Sequence, residues 1–186
     1  MKKIFAIWSA LVLMLGCAAL AEETTDSKAA SMVVYFSATG TTKAEAELIA
    51  GQTGAALYEI VPEEPYSSAD LNYNNDGCRA NREQNDDAAR PAISGDLPDL
   101  TNVDTIYLGY PIWWGKAPKI IYTFLESVDV SGKTIIPFCT SGSSGIGGSM
   151  SAIRELAKNA TVLDGQRVNN YDEKKIADWL NGLESK

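Results

Sequence analysis

The 186-residue chain contains no histidine. This removes Ser-His-Asp and Cys-His catalysis, imidazole acid–base chemistry and every His-ligated metal site. Three cysteines are present, none in a Cys-x-x-Cys pair, which excludes thioredoxin-type chemistry and a cysteine zinc site. Positive charge is scarce: 16 Lys and Arg face 24 Asp and Glu, for a net charge of −8. A surface of that sign repels phosphate backbones, so nucleic acid is not an expected partner. Several nucleotide and hydrolase signatures are missing as well. There is no Gly-x-Gly-x-x-Gly after the first apolar strand and no Gly-x-Ser-x-Gly elbow. Gly132-Lys133-Thr134 ends like a Walker loop, but Ser127 stands where its first glycine belongs and a strand pattern follows.

The apolar run Ile4 to Leu15 covers 12 residues, too few to span a bilayer comfortably. Lys2 and Lys3 precede it, and Ala19-Leu20-Ala21 follows with the small-x-small spacing of a signal peptidase site. Residues 1–21 therefore read as an export signal, and the mature protein is expected in a periplasmic or other extracytoplasmic location. Met14-Leu15-Gly16-Cys17 offers a second processing route, resembling a lipobox that leaves Cys17 lipidated. Membrane contact is expected only through that lipid. Residues 22–31 are polar and alanine-rich, a flexible leader, and 32–186 form one domain. Export permits a Cys78–Cys139 disulfide, but two cysteines do not establish one.

The body alternates strand and helix patterns. Met32–Phe36, Ala56–Val61, Val103–Gly109 and Thr134–Cys139 are apolar runs of strand length, and Thr161–Val168 contains a fifth. Thr42–Gly51 reads as a helix ended by its glycine. Later helices carry Ile120, Ile121, Phe124 and Leu125 on one face, then Met150, Ile153 and Leu156. The last opens with Asn170 as cap and Glu173 three residues on, then shows Ile176, Trp179 and Leu180. Such alternation predicts an α/β fold with a parallel sheet covered on both faces. Pro62–Asp99 breaks the rhythm: it is long and polar, with a weak helical pattern over Arg79–Ala89.

In doubly wound sheets ligands bind beyond the C-terminal strand ends, where strand order reverses. Three loops start there. Ser37, Thr39, Gly40, Thr41 and Thr42 join the first strand to the first helix, with four hydroxyls and a glycine at a helix N-terminus. Those groups bind an anion without a cation. A simple helix cap needs only one such hydroxyl. Pro111, Ile112, Trp113, Trp114 and Gly115 follow the third strand. Alternation cannot bury both tryptophans in one core, so one packs under the long insertion and the other is free to stack on a flat ring. Thr140, Ser141, Gly142, Ser143 and Gly145 end the fourth strand and let backbone approach a ligand closely.

The run from Val33 through Ser37-Ala38-Thr39-Gly40-Thr41-Thr42 to Ala46 and Ile49 resembles the FMN-phosphate signature of flavodoxins. Gly109–Gly115, Cys139–Gly145 and the Tyr66–Pro91 insert with Asp70-Leu71-Asn72-Tyr73 resemble a bacterial flavodoxin-like subfamily. The resemblance implies a five-stranded sheet in the order 2-1-3-4-5 and FMN as cofactor, the phosphate held by the first loop and the ring by Pro111–Gly115 and Thr140–Gly145. It implies electron transfer to a redox partner protein. One departure favours an enzyme: flavodoxins that carry electrons have an aromatic in the third loop, and this loop has none, leaving a ring face open to NAD(P)H or a small quinone. An FMN-dependent NAD(P)H/quinone oxidoreductase is therefore the alternative, with Tyr110 or solvent replacing histidine in proton relay. A third possibility is an exported lipoprotein that keeps the fold without the cofactor. The Lys-Lys start lacks the twin arginine of cargo exported folded, so FMN has to be supplied outside the cytoplasm.

Overall fold

A computed structural model describes residues 30–170 and 172–184. The export signal, Cys17 and most of the leader lie outside the described residues. Eleven elements follow in chain order: β1 (Ser31–Tyr35), α1 (Thr41–Thr53), β2 (Ala56–Glu59), α2 (Arg79–Asn85), β3 (Thr105–Pro111), α3 (Lys119–Ser127), β4 (Thr134–Thr140), α4 (Gly147–Leu156), β5 (Thr161–Val162), β6 (Gln166–Arg167) and α5 (Glu173–Glu184). The sheet runs β2-β1-β3-β4-β5, with β6 also on β4 and every pairing parallel. This is the α/β, doubly wound 2-1-3-4-5 order.

Pleating divides the core. Val33 and Tyr35 of β1 face α1 and α5, packing with Ala46, Ile49 and Ile176. Val34 and Phe36 face the other way, toward Ile120, Phe124, Met150 and Ile153 of α3 and α4. Successive strand residues point to opposite faces, so a run apolar at every position belongs to a strand covered on both sides. Apart from a serine or threonine at their ends, central β1, β3 and β4 are such runs.

Several strand and helix ends shift by one or two residues from those read in the sequence, and three differences have a clear local reason. Gly51 lies inside α1. The helix ends at Gly54, whose left-handed φ of 70° lets its N–H reach Ala50 O at 2.8 Å. The cap of the last helix is Asp172, which accepts the Lys175 N–H at 2.9 Å; Asn170 sits outside the helix with φ of 51°. The fifth strand is split in two. Ile135 O accepts from Leu163 N–H and Cys139 O from Val168 N–H, so odd-numbered residues of β4 face this edge. Pro137 lies between them without an N–H to give. At the break, Gly165 passes so close that a Cβ there would lie 2.9 Å from Pro137 O.

The insertion is ordered. Glu63 N–H donates to Ala92 O and Ser94 N–H to Val61 O, closing its base. Above that base α2 covers seven residues of the Arg79–Ala89 pattern and buries Ala80, Asn81 and Gln84. Cys78 and Cys139 are both buried free thiols. Burial pushes the Cys139 thiol up to about 12.

Candidate functional site

The three loops converge at the switch point between β1 and β3. Phe36 N–H donates to Gly109 O at 2.9 Å, and Ile112 N–H to Thr140 O at 2.9 Å. The Thr42 and Thr140 hydroxyls share a buried hydrogen bond of 2.8 Å. The first loop is thereby tied to the end of β4.

The first loop ends in Gly40, whose φ of 86° selects glycine and turns the chain into α1. The helix has no side-chain cap and no acidic residue in its first turn. Its leading N–H groups thus carry the positive end of the helix dipole with no side chain satisfying them. Ser37 Oγ is buried with no hydrogen-bond partner, an expense of about 1–3 kcal/mol for an unsatisfied polar group. Thr39, Gly40 and Thr41 are exposed, whereas Thr42 is buried and turns its hydroxyl to Thr140. Lys43 pairs with Glu59 at 3.7 Å, both side chains largely in water. The mouth of α1 therefore presents N–H groups and hydroxyls, while Lys43 is paired with Glu59.

The second loop is a tight turn. Trp113 N–H donates to Lys116 O at 2.9 Å and Lys116 N–H returns to Trp113 O at 3.0 Å. Trp114 (φ 46°) and Gly115 (φ 80°) occupy its two centres, a pairing of left-handed residues that defines a type I′ turn. Left-handed backbone at a tryptophan costs about 1–2 kcal/mol. Pro111 is the last residue of β3, and Ile112 is buried. The two tryptophans separate. Trp113 is buried edge-on to Phe36 (5.4 Å between centroids) and to Tyr66 of the insertion (4.9 Å). Trp114 is only partly buried and lies flat against Tyr73, centroids 4.1 Å apart and planes 14° from parallel. The ring of Trp113 is thus core, and the ring of Trp114 faces the site.

The third loop is exposed from Gly142 to Gly145, while Thr140 is buried. Two residues behind it fix its backbone. Asn169 accepts from Ser141 N–H and donates back to Ser141 O, and Arg167 donates to Ser143 O at 3.0 Å. A cavity of about 310 Å³ lies between the second and third loops, lined by Ile112, Trp114, Gly115, Ser141–Ser144 and Tyr73. That is the lower end of the usual range for small-molecule sites, roughly 300–1,000 Å³. Larger cavities lie elsewhere. One of about 350 Å³ is lined by Ser31, Thr105 and Leu180 near the strand N-termini, and one of about 600 Å³ follows the α3–α4 groove. None of the three is lined by the Ser37–Thr42 loop; the 310 Å³ cavity differs in being lined by both the second and the third loop.

Tyr110 is sealed from solvent, its side chain fully buried. Ser149 gives its hydroxyl hydrogen to Ile146 O at 2.7 Å, so Tyr110 donates to Ser149 Oγ at 3.0 Å. Burial raises its pKa well above that of free tyrosine.

Sequence reasoning missed the residues that hold this site in shape. Gln84 of α2, itself buried, donates its amide to Trp113 O at 2.8 Å and to Ala117 O at 3.3 Å. It clamps both ends of the second loop. Gly148, at the start of α4, lets that helix meet the turn: a Cβ there would lie 2.2 Å from Gly115 O. Gln84, Asn169 and Arg167 carried no signal in the sequence, whereas Tyr73 of the cavity wall stands in the Asp70–Tyr73 run of the subfamily resemblance.

A family model described as flavodoxin matches residues 30–183. The chain is similar to a Bacteroides eggerthii protein provisionally described as a flavoprotein, at 42% identity and a TM-score of 0.80, covering 86% of this chain and 100% of that one. A Bacteroides uniformis protein with the same provisional description is 40% identical, at a TM-score of 0.79, covering 82% of this chain and 97% of that one. A flavoprotein of Lactobacillus acidophilus, solved in complex with FMN, is 26% identical at a TM-score of 0.63, with 82% and 99% covered. None of the curated proteins compared matches the chain.

Proposed function

The chain belongs to the flavodoxin family, and from that premise we propose that it is an FMN-binding redox protein that acts in electron transfer. The observation that carries this reading is the uncapped mouth of α1, where the buried, unpartnered Ser37 Oγ and the free end of the helix meet at the sheet's switch point. A dianionic phosphate supplies the acceptors those donors lack. Hydrogen bonds to a charged group contribute about 1.5–3 kcal/mol each, so a few suffice without a lysine. The Lactobacillus relative was solved with FMN.

Bound there, FMN supplies one- and two-electron chemistry at its ring. The protein's own part is to place it. Ser37, Thr39 and Thr41, with the N–H groups of Gly40 to Thr42, hold the phosphate. Trp114 offers a flat face. The Ser141–Gly145 backbone offers N–H groups to the ring edge, and its rigidity comes from Asn169 and Arg167. The Thr42–Thr140 bond keeps the phosphate loop and the ring loop at a constant separation.

The burial of Tyr110 favours a carrier over a reductase, because the side chain best placed in sequence for proton transfer is sealed from solvent. The open, aromatic-free Ser141–Gly145 segment is what supports the second reading, an FMN-dependent NAD(P)H or quinone reductase. The acidic chain suits docking on a basic redox partner protein. Residues 1–21 fit export, with Cys17 the candidate for a lipid anchor. Titration of purified protein with FMN and with riboflavin tests the binding. Tight FMN binding with weaker riboflavin binding is expected; binding of neither overturns the reading. NADPH oxidation with a quinone at about 1 s⁻¹ or faster, an ordinary enzyme rate, overturns the pure carrier.

A further inference from the structure

The third loop lacks an aromatic, yet the 310 Å³ cavity beside it has two, because the insertion delivers Tyr73 to its rim. Tyr73 is held there deliberately. Its turn is pinned on both sides: Asn72 Oδ1 accepts from Asn74 N–H at 3.0 Å, and Asn75 N–H donates to Asn72 O at 2.9 Å. Leu71, two residues before, packs against the core. Ala80 N–H donates to Asp70 O at 3.0 Å, joining the turn to α2. Its hydroxyl reaches Ile112 O at 3.4 Å, and its ring lies flat on Trp114. Even so, Tyr73 stays 55% exposed. A large ring anchored by its neighbours and left in water beside a cavity matches a ligand contact better than a core residue.

We infer that Tyr73 is a ring-contacting residue of the flavin slot, supplied by the insertion in place of the aromatic the third loop lacks. The inference rests on the FMN reading above. Tyr73 and Trp114, 4.1 Å apart, leave no space for a third ring between them. They act as one two-ring wall of the cavity, and the flavin ring binds in the space they share with Ser141–Ser144. The Pro62–Asp99 insertion is then part of the site: Gln84 fixes the loop that carries Trp114, and Tyr73 covers one face of Trp114 and lines the cavity in its own right.

Fluorescence titration of FMN and riboflavin into the wild type, Tyr73→Ala and Tyr73→Phe tests this. Loss of a stacked ring contact weakens binding by about three- to tenfold. Tyr73→Ala is expected to weaken FMN and riboflavin by the same such factor, since both share the ring. Tyr73→Phe keeps the ring and is expected to bind both as the wild type does. Because Tyr73 is exposed, the melting temperature of the unliganded variants serves as the folding check. Unchanged binding by Tyr73→Ala overturns the inference while leaving FMN binding intact. So does tighter binding, which makes Tyr73 a competitor for the Trp114 face, and so does a loss confined to FMN, which places Tyr73 at the phosphate. A wild type that binds neither flavin overturns the FMN reading and this inference together.

Discussion

Replacing Ser37 with alanine separates what the phosphate loop does for the fold from what it does for a ligand. In the structure Ser37 Oγ is buried and has no partner. Leaving a buried polar group unsatisfied costs about 1–3 kcal/mol, so deleting it costs the unliganded protein nothing and returns up to about 1 kcal/mol. For a domain of this size that is a rise in melting temperature of about 2–4 °C. The ligand responds in the opposite direction. A hydroxyl donating to a dianionic phosphate contributes about 1.5–3 kcal/mol, so Ser37→Ala should weaken FMN by about 10- to 150-fold. Riboflavin has the same ring without the phosphate and should bind the variant as it binds the wild type. Differential scanning fluorimetry without flavin, followed by fluorescence titration with each flavin, reads all three quantities. A melting temperature that falls, or an equal loss for both flavins, refutes the reasoning: Ser37 would then be a structural hydroxyl whose partner the fold supplies. The choice of Ser37 matters. Thr42 is a poorer probe, because its hydroxyl ties the first loop to Thr140 and its removal disturbs both loops at once.

Three other outcomes follow from the same geometry. Gln84→Leu strips the donor from Trp113 O and Ala117 O but also removes the buried, unpartnered Gln84 Oε1; chemical denaturation should show a net loss of no more than about 2 kcal/mol, with FMN and riboflavin weakened alike, and unchanged binding of both flavins contradicts the clamp. The chain has no histidine, so the pH dependence of binding near neutrality belongs to the ligand: FMN affinity should rise with pH as its phosphate loses its second proton near about pH 6, while riboflavin affinity stays flat, and a fall in FMN affinity with rising pH points to a cation in the cradle. Cys78 and Cys139 are buried and Cys139 is held in the thiol form up to about 12, so an aromatic disulfide reagent should modify neither until the protein is unfolded; rapid native modification, or a disulfide between them, counts against the packing described.

Much of the fold was legible before any coordinates, because it is written in short-range chemistry. A strand apolar at every position, as in Met32–Phe36 or Ile135–Cys139, is a strand covered on both faces, and alternation of such strands with amphipathic helices leaves few topologies. The donor-rich turn into α1 was equally local: a glycine, hydroxyls and a helix start are adjacent in the chain, so their order alone places donors together. Where the reading slipped, the deciding contact came from far away. Pro137 splits a strand some 25 residues downstream of it by lacking one N–H. Trp113 and Trp114 are neighbours in sequence with opposite fates, settled by Phe36 and Tyr66 on one side and Tyr73 on the other. Gln84, Asn169 and Arg167 look like ordinary polar residues until folding brings them against loops about 25–30 residues away. The amino-acid order by itself determined the strands, their two covered faces and the hydroxyl-rich turn into α1, since each depends on residues within a few positions of one another. The shape of the 310 Å³ cavity and the placement of the insertion against it were decided only in three dimensions, because they depend on side chains that meet across the fold.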